Sequence, residues 1–461
     1  MNRTEHKAER NGTEPKTSLL MKSLTPGNTR KELDSHHFLF NRIVTIGCIA
    51  NESIVYLIPA NCTNEFAEDD FPSNLLLRSV GAKSRARGEF LRDLSRSNSR
   101  PFHRSSFISP LMTIIQRSVV AAISLLIGVS VCAKTPQPEE TLAIPGAPLA
   151  SFDIGYASHG LYALADRSNA SIDLFDTHTL RYTGRLTGFS GAKATDMGGP
   201  NGIVIVGKQI WAGDGNSDVK VIDIASKKTL ATVSTGGSKR VDELAYDPQD
   251  QLIAAANNAD DPPFVSLIST HAPYEVKAKL VLPQATDGIE QPVWEPTTKK
   301  LFLAVPVLDG HKEDGGIAVI DPRSAKLERM IHVSRCMPAG LAAGPDGQIL
   351  VGCSNDAVEA GFAAKSLLID SRTGAETASF DQVGGSDEVW YDAASGRYGL
   401  AAVANPGGPV IGFIDAHSKR WLRNVPTGKA AHSIAADGNA FFAPIAAGDA
   451  HCANGCVKVL R

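Results

Sequence analysis

Gly202-Ile203-Val204-Ile205-Val206, Gln209-Ile210-Trp211-Ala212, Asp218-Val219-Lys220-Val221-Ile222-Asp223-Ile224 and Thr229-Leu230-Ala231-Thr232-Val233 follow one another with only turn residues between them. No helical periodicity interrupts the stretch, so it reads as four short strands in succession. The third strand carries Val221-Ile222-Asp223, and this signature recurs. Copies stand at Leu174-Phe175-Asp176, Val319-Ile320-Asp321, Leu368-Ile369-Asp370 and Phe413-Ile414-Asp415, with degenerate ones at Leu267-Ile268-Ser269 and Val459-Leu460-Arg461. Successive spacings are 47, 46, 52, 49, 45 and 46 residues. Four strands per period and seven periods predict an all-β fold, a seven-bladed β-propeller over residues 134–461.

The last copy stops at its third strand, Val457-Lys458-Val459-Leu460, while Glu140-Thr141-Leu142-Ala143-Ile144 reads like the fourth strand Lys228-Thr229-Leu230-Ala231-Thr232. The N-terminal strand is therefore expected to complete the last blade and close the ring, which removes an open edge. A β-sandwich or a solenoid is the alternative architecture. Each of the five Asp copies has Ser or Thr three positions on, at Thr179, Ser226, Ser324, Thr373 and Ser418. That pairing is turn chemistry, because the carboxylate can accept the backbone N–H groups that follow it.

The repeated Val-x-Val-Ile-Asp-x-x-Ser/Thr strands with their Gly-Gly connections resemble the YVTN or YncE-like group of exported bacterial β-propellers, over about residues 140–461. The Tyr-Val-Thr-Asn signature itself is replaced here by runs such as Ala255-Ala256-Asn257-Asn258.

Composition supports a globular chain: 43% hydrophobic, 21% charged, 6% aromatic, formal net charge −3. Few aromatics and no basic excess argue against nucleic acid as a partner. The charge is uneven, with residues 1–111 net positive and residues 134–461 net negative. Between them lie Arg117, an apolar run over residues 119–131, and Val131-Cys132-Ala133. Positive start, short apolar core and small residues before the cut form a secretory signal over 112–133, cleaved after Ala133. The run is shorter than the roughly 20 residues a spanning helix needs. A signal that far from the terminus cannot act, so Met112 is the expected true start and residues 1–111 an unstructured or mis-assigned extension. The competing account is a disordered arm with one internal anchor.

Four cysteines remain after the cut: Cys336, Cys353, Cys452 and Cys456. An even number in an exported chain suggests two disulfides, with three pairings open. Cys336 precedes the first strand of blade 5 and Cys353 ends its second, so antiparallel pairing brings them within reach. Cys452 and Cys456 would then close a small loop in blade 7.

The innermost strands line a propeller's channel. Aligned on Ile203, Leu244, Pro292, Leu341, Val389 and Ile434, they place Asn201, Asp242, Glu290, Ala339, Asp387 and His432 two positions earlier. One position earlier come Gly202, Glu243, Gln291, Gly340, Glu388 and Ser433. Side chains alternate in a strand, so only one column is expected to face the channel squarely. Glu243, Gln291, Glu388 and His432 are the ligand-binding candidates. Loop acids Asp214, Asp218, Asp260, Asp261, Asp309, Asp314, Asp356 and Asp449 are expected on the same face, making it attractive to cations. Oxygen ligands suit Ca²⁺, Mg²⁺ or Mn²⁺, and His432 admits Zn²⁺. The plainer reading is a water-filled channel lined by solvated acids.

Two fragments are similar to the gluconolactonase (senescence-marker-protein) family. Glu290-Gln291-Pro292-Val293-Trp294 resembles its Glu-Gly-Pro-x-Trp strand, and Gly199-Pro200-Asn201-Gly202-Ile203 its Pro-Asn-Gly strand, in reversed order along the chain. The resemblance implies Glu290, Asn201 and Asp387 as metal ligands, with Asp387 or Asp242 as the base activating water for lactone hydrolysis. No phosphate loop, nucleophile elbow or haem-attachment motif is present. The expectation is an exported, periplasmic or secreted, monomeric module that binds a small molecule or an envelope protein; a divalent-metal-dependent, lactonase-like hydrolase is the alternative.

Overall fold

The computed structural model describes residues 140–193 and 195–461; the signal segment and the extension before it lie outside these residues. Seven four-stranded antiparallel sheets follow one another. Blade 2 consists of Ile203–Val206, Gln209–Asp214, Asp218–Asp223 and Thr229–Ser234, within two residues of the strands read from the sequence at every end. The innermost strands of the other blades are Gly155–Ser158 (blade 1), Leu244–Asp247 (3), Pro292–Glu295 (4), Pro338–Ala343 (5), Val389–Asp392 (6) and Ala435–Asp437 (7). Blade 7 is closed as expected: Glu140–Ala143 pairs with Cys456–Leu460, with Leu142 opposite Val457.

Why seven such sheets hold together is seen in their second and third strands, which are buried on both faces. Alternate residues then serve opposite neighbours. In blade 1, Ala163 and Ala165 pack towards Ile203 and Ile210 of blade 2, while Tyr162 and Leu164 pack towards Phe442 and Val457 of blade 7. Each pair of adjacent blades shares one such cluster, so the core is a ring of seven interfaces. Outermost strands alternate exposed and half-buried residues, as in Thr229–Ser234. Nothing long and apolar enough to cross a membrane as a helix occurs among the described residues.

The recurrent acids act as turn residues. Asp176, Asp223, Asp370 and Asp415 each accept the backbone N–H and the hydroxyl of the Ser or Thr three positions later. Asp321 takes the hydroxyl of Ser324. Both disulfides are formed, Cys336–Cys353 and Cys452–Cys456.

Candidate functional site: the channel carboxylates

The chain enters each blade through two residues at or just before the start of its inner strand, and these build the channel. In three blades the second of them ties its blade to the next. Gln291 Oε1 accepts the N–H of Leu341, 2.8 Å away; Glu388 Oε2 accepts that of Ile434, at 2.9 Å; Ser433 Oγ accepts that of Gly155, at 2.8 Å. Ser433 also donates its hydroxyl to Glu388 at 2.6 Å. In blades 2 and 5 the position is glycine because the next blade's backbone comes too close. A Cβ on Gly340 would collide with the Asp387 carbonyl, and one on Gly202 with that of Asp242.

Blade 3 breaks this belt. By position, Glu243 should accept the N–H of residue 292, but that residue is Pro292 and has none. Glu243 is 5% exposed, and its carboxylate takes no hydrogen bond among the described residues. It turns instead towards two acids of the preceding column. Glu243, Glu290 and Asp387 can each present an oxygen such that all three lie within 4.8 Å of one another. Neither Glu290 nor Asp387 receives a side-chain hydrogen bond among the described residues. The expectation that a single column faces the channel is thus corrected. Strand alternation begins only at Leu244, Pro292 and Val389, so the residues before them are free of it.

The other acids at this end are matched by bases. Arg167 bonds Asp153 and Asn201, its Nε lying 3.0 Å from Asn201 Oδ1. Arg240 donates to Asp242 Oδ2 at 2.8 Å, and Asn258 bonds the same oxygen. Asn201 further donates to the carbonyls of Gly198 and Val241. His432 stacks on Phe152, points Nδ1 at the Ala430 carbonyl, and sets Nε2 3.6 Å from Asp153. Of the residues read from the sequence, Glu243, Glu290 and Asp387 are brought together; Asp242 lines the same cavity but is paired with Arg240, and the Asn201 amide is taken up by Arg167 and two backbone carbonyls. Gln291 and Glu388 serve the belt.

The charge balance follows. Burial would raise Asp153, but Arg167, His432 and Arg240 outweigh it and hold its carboxyl down at about 2. Burial pushes Asp387 up to about 6, against the pull of His432 and with the repulsion of Asp153 and Asp242. Burial first, and then neighbouring carboxylates, push Glu243 and Glu290 well above the usual range. His432 is raised: burial opposes its charge, yet Asp153 and Asp387 favour it. Three carboxylates without donors are a set that wants protons or a cation. All-oxygen ligation fits a hard divalent ion such as Ca²⁺, Mg²⁺ or Mn²⁺ better than Zn²⁺. The three acids line a cavity of ≈ 180 Å³, closed on one side by the short helix Asn355–Glu359 that brings Asp356 to its wall.

Four of the eight loop acids expected here are engaged locally. Asp214 takes the N–H of Ser190 and pairs with Lys220 at 2.8 Å, Asp260 takes Ser238, Asp314 faces His332, and Asp449 takes the N–H groups of Lys429 and His451. Asp153, Arg167 and Arg240 were absent from the sequence reading. Asp153 lies one repeat before Asn201, so extending the column into blade 1 finds it. The arginines occur once each, with no repeat to mark them.

No family model matches the chain, and no curated protein is similar to it in sequence. Solved structures match by fold. A chain of the mitotic checkpoint complex is similar over 71% of this chain and 92% of its own, with 14% identity and a TM-score of 0.54. A chain of the Kuenenia stuttgartiensis hydrazine synthase covers 69% and 97%, with 15% identity and a TM-score of 0.53. At these identities the likeness establishes the β-propeller and nothing of its chemistry.

Proposed function

We propose that this chain is an exported binding module of the YVTN-like kind, whose channel holds a hard divalent cation at Glu243, Glu290 and Asp387 and presents it to a small ligand or an envelope protein. One observation carries the reading: three convergent carboxylates lack hydrogen-bond donors among the described residues, Glu243 because Pro292 removes the N–H that would have occupied it. The signal-like segment 112–133 and the two disulfides support export to an oxidising compartment, periplasmic or extracellular. The rigid ring of interlocked blades suits presentation rather than conformational change. The hydrolase reading needs Asn201 as a metal ligand, but its Oδ1 already accepts from Arg167, so binding stands ahead of it.

Thermal unfolding of chelator-treated protein tests this. Ca²⁺ or Mn²⁺ should raise the melting temperature more than Zn²⁺ does, and Glu290→Gln should abolish the rise while leaving the metal-free protein at least as stable. No shift with any ion would return the channel to a water-filled lining.

A further inference from the structure

The other end of the channel has a different chemistry. Past the Glu243–Glu388 level it widens into a second cavity of ≈ 280 Å³. Its walls carry Tyr156, Tyr246, Trp294, Trp390 and Tyr391. An aromatic-poor chain with 8 Tyr and 4 Trp has set three and two of them at one mouth. Blade geometry delivers them there, since Tyr246, Trp294 and Tyr391 sit at the same step of their inner strands, one residue before the acids Asp247, Glu295 and Asp392. Tyr156 and Trp390 meet edge to face at 5.0 Å across the narrow inner strand of blade 7, where residue 435 is only alanine. Neither indole N–H, of Trp294 or of Trp390, donates a hydrogen bond among the described residues.

The floor of this cavity is acidic. Glu243 and Glu388 are 5% and 1% exposed, and both line it. Glu388 uses Oε2 for Ser433 and Ile434, leaving Oε1 without a partner among the described residues. Aromatic faces carry negative charge at their centres and attract cations, most strongly where water is excluded. Buried carboxyl oxygens below such rings face the place where the charge of an alkyl-clad ammonium would end. A sugar would also stack on the rings, but it would bring no positive charge to face the two acids. A bare metal ion would gain little from the indoles.

We infer that this vestibule is a binding site for a small organic ammonium ion, its alkyl groups against Trp294, Trp390 and Tyr246 and its charge facing Glu388 and Glu243. The site adjoins the metal triad through Glu243, which borders both cavities, and through Glu388, the chain neighbour of Asp387.

The test uses purified, chelator-treated protein, so its failure is separable from failure of the metal site. Choline, tetramethylammonium and the uncharged isostere 3,3-dimethyl-1-butanol are titrated by calorimetry, with tryptophan fluorescence in parallel. The cations should bind saturably and change the emission, and the isostere should bind about tenfold or more weakly. Glu388→Gln, which keeps an acceptor for Ser433 and Ile434, should weaken the cations about tenfold and leave the isostere unchanged. Trp294→Leu and, should that variant not fold, Tyr246→Leu should weaken all three ligands. Absence of saturable binding, or an isostere that matches choline, would overturn the inference.

Discussion

Glu295 ends the inner strand of blade 4 fully buried, and its two oxygens collect the N–H groups of Thr297 and Thr298 and the Thr298 hydroxyl at 2.6–2.8 Å. Burial alone would raise its carboxyl, but those bonds win and hold it below the ordinary value. Glu295→Ala strands these donors and should cost about 2–3 kcal/mol in urea unfolding. Because the folded value is lowered, the charged form supplies stability above the unfolded value near 4.5 and loses it as pH falls. The gap between wild type and variant should therefore narrow in acid. Asp387 has the opposite sign, since its folded value is raised to about 6 from 3.8. The folded protein binds the extra proton, and stability falls as pH rises through that window. In chelated protein Asp387→Asn should melt above wild type at pH 8, the difference closing below pH ~4. A constant difference across that range would contradict the charge balance described for the channel.

A single imino acid decides what the inner strand of blade 4 can do. Restoring an N–H with Pro292→Ala should draw Glu243 into the belt that Gln291, Glu388 and Ser433 already form. The metal-free protein should gain roughly 1 kcal/mol, and Ca²⁺ or Mn²⁺ affinity should drop although every ligand remains. Calorimetry on the same preparation reads both. The closing strand Glu140–Ala143 makes a second element-scale test. Leu142 is 5% exposed and packs into the cluster shared by blades 7 and 1, whereas Leu230, in the outermost strand of blade 2, is 48% exposed. Leu142→Asp should cost about 3 kcal/mol or more, and Leu230→Asp under about 0.5 kcal/mol, by urea unfolding. Equal costs would mean that the ring does not depend on its closure.

At the scale of the molecule, the fold was legible because a propeller repeats its own physics. Val221-Ile222-Asp223 and its copies are needed wherever a buried third strand runs into a tight turn, so their spacing located seven blades, likeness to a fourth strand marked the closing strand, and strand position suggested the cysteine pairs. The site was half legible. Glu290 and Asp387 came from the inner-strand column, and Glu243 from its neighbour, but nothing periodic announced that these three converge. Their convergence depends on Pro292 interrupting a belt that exists only between blades, and a strand read in isolation does not reveal it. Arg167 and Arg240, which neutralise Asp153 and Asp242 and so leave three acids over, each break the repeat once. Repeats report what every blade shares, and a site is made of what one blade does differently.

The central claim is that the three remaining acids hold a cation. It is tested most directly by anomalous diffraction from crystals of the protein soaked in Mn²⁺. The account predicts one strong peak at metal–oxygen bonding distance from Glu243, Glu290 and Asp387, and its loss in Glu290→Gln crystals. A channel without a peak, or a peak only among the loop acids, would contradict it.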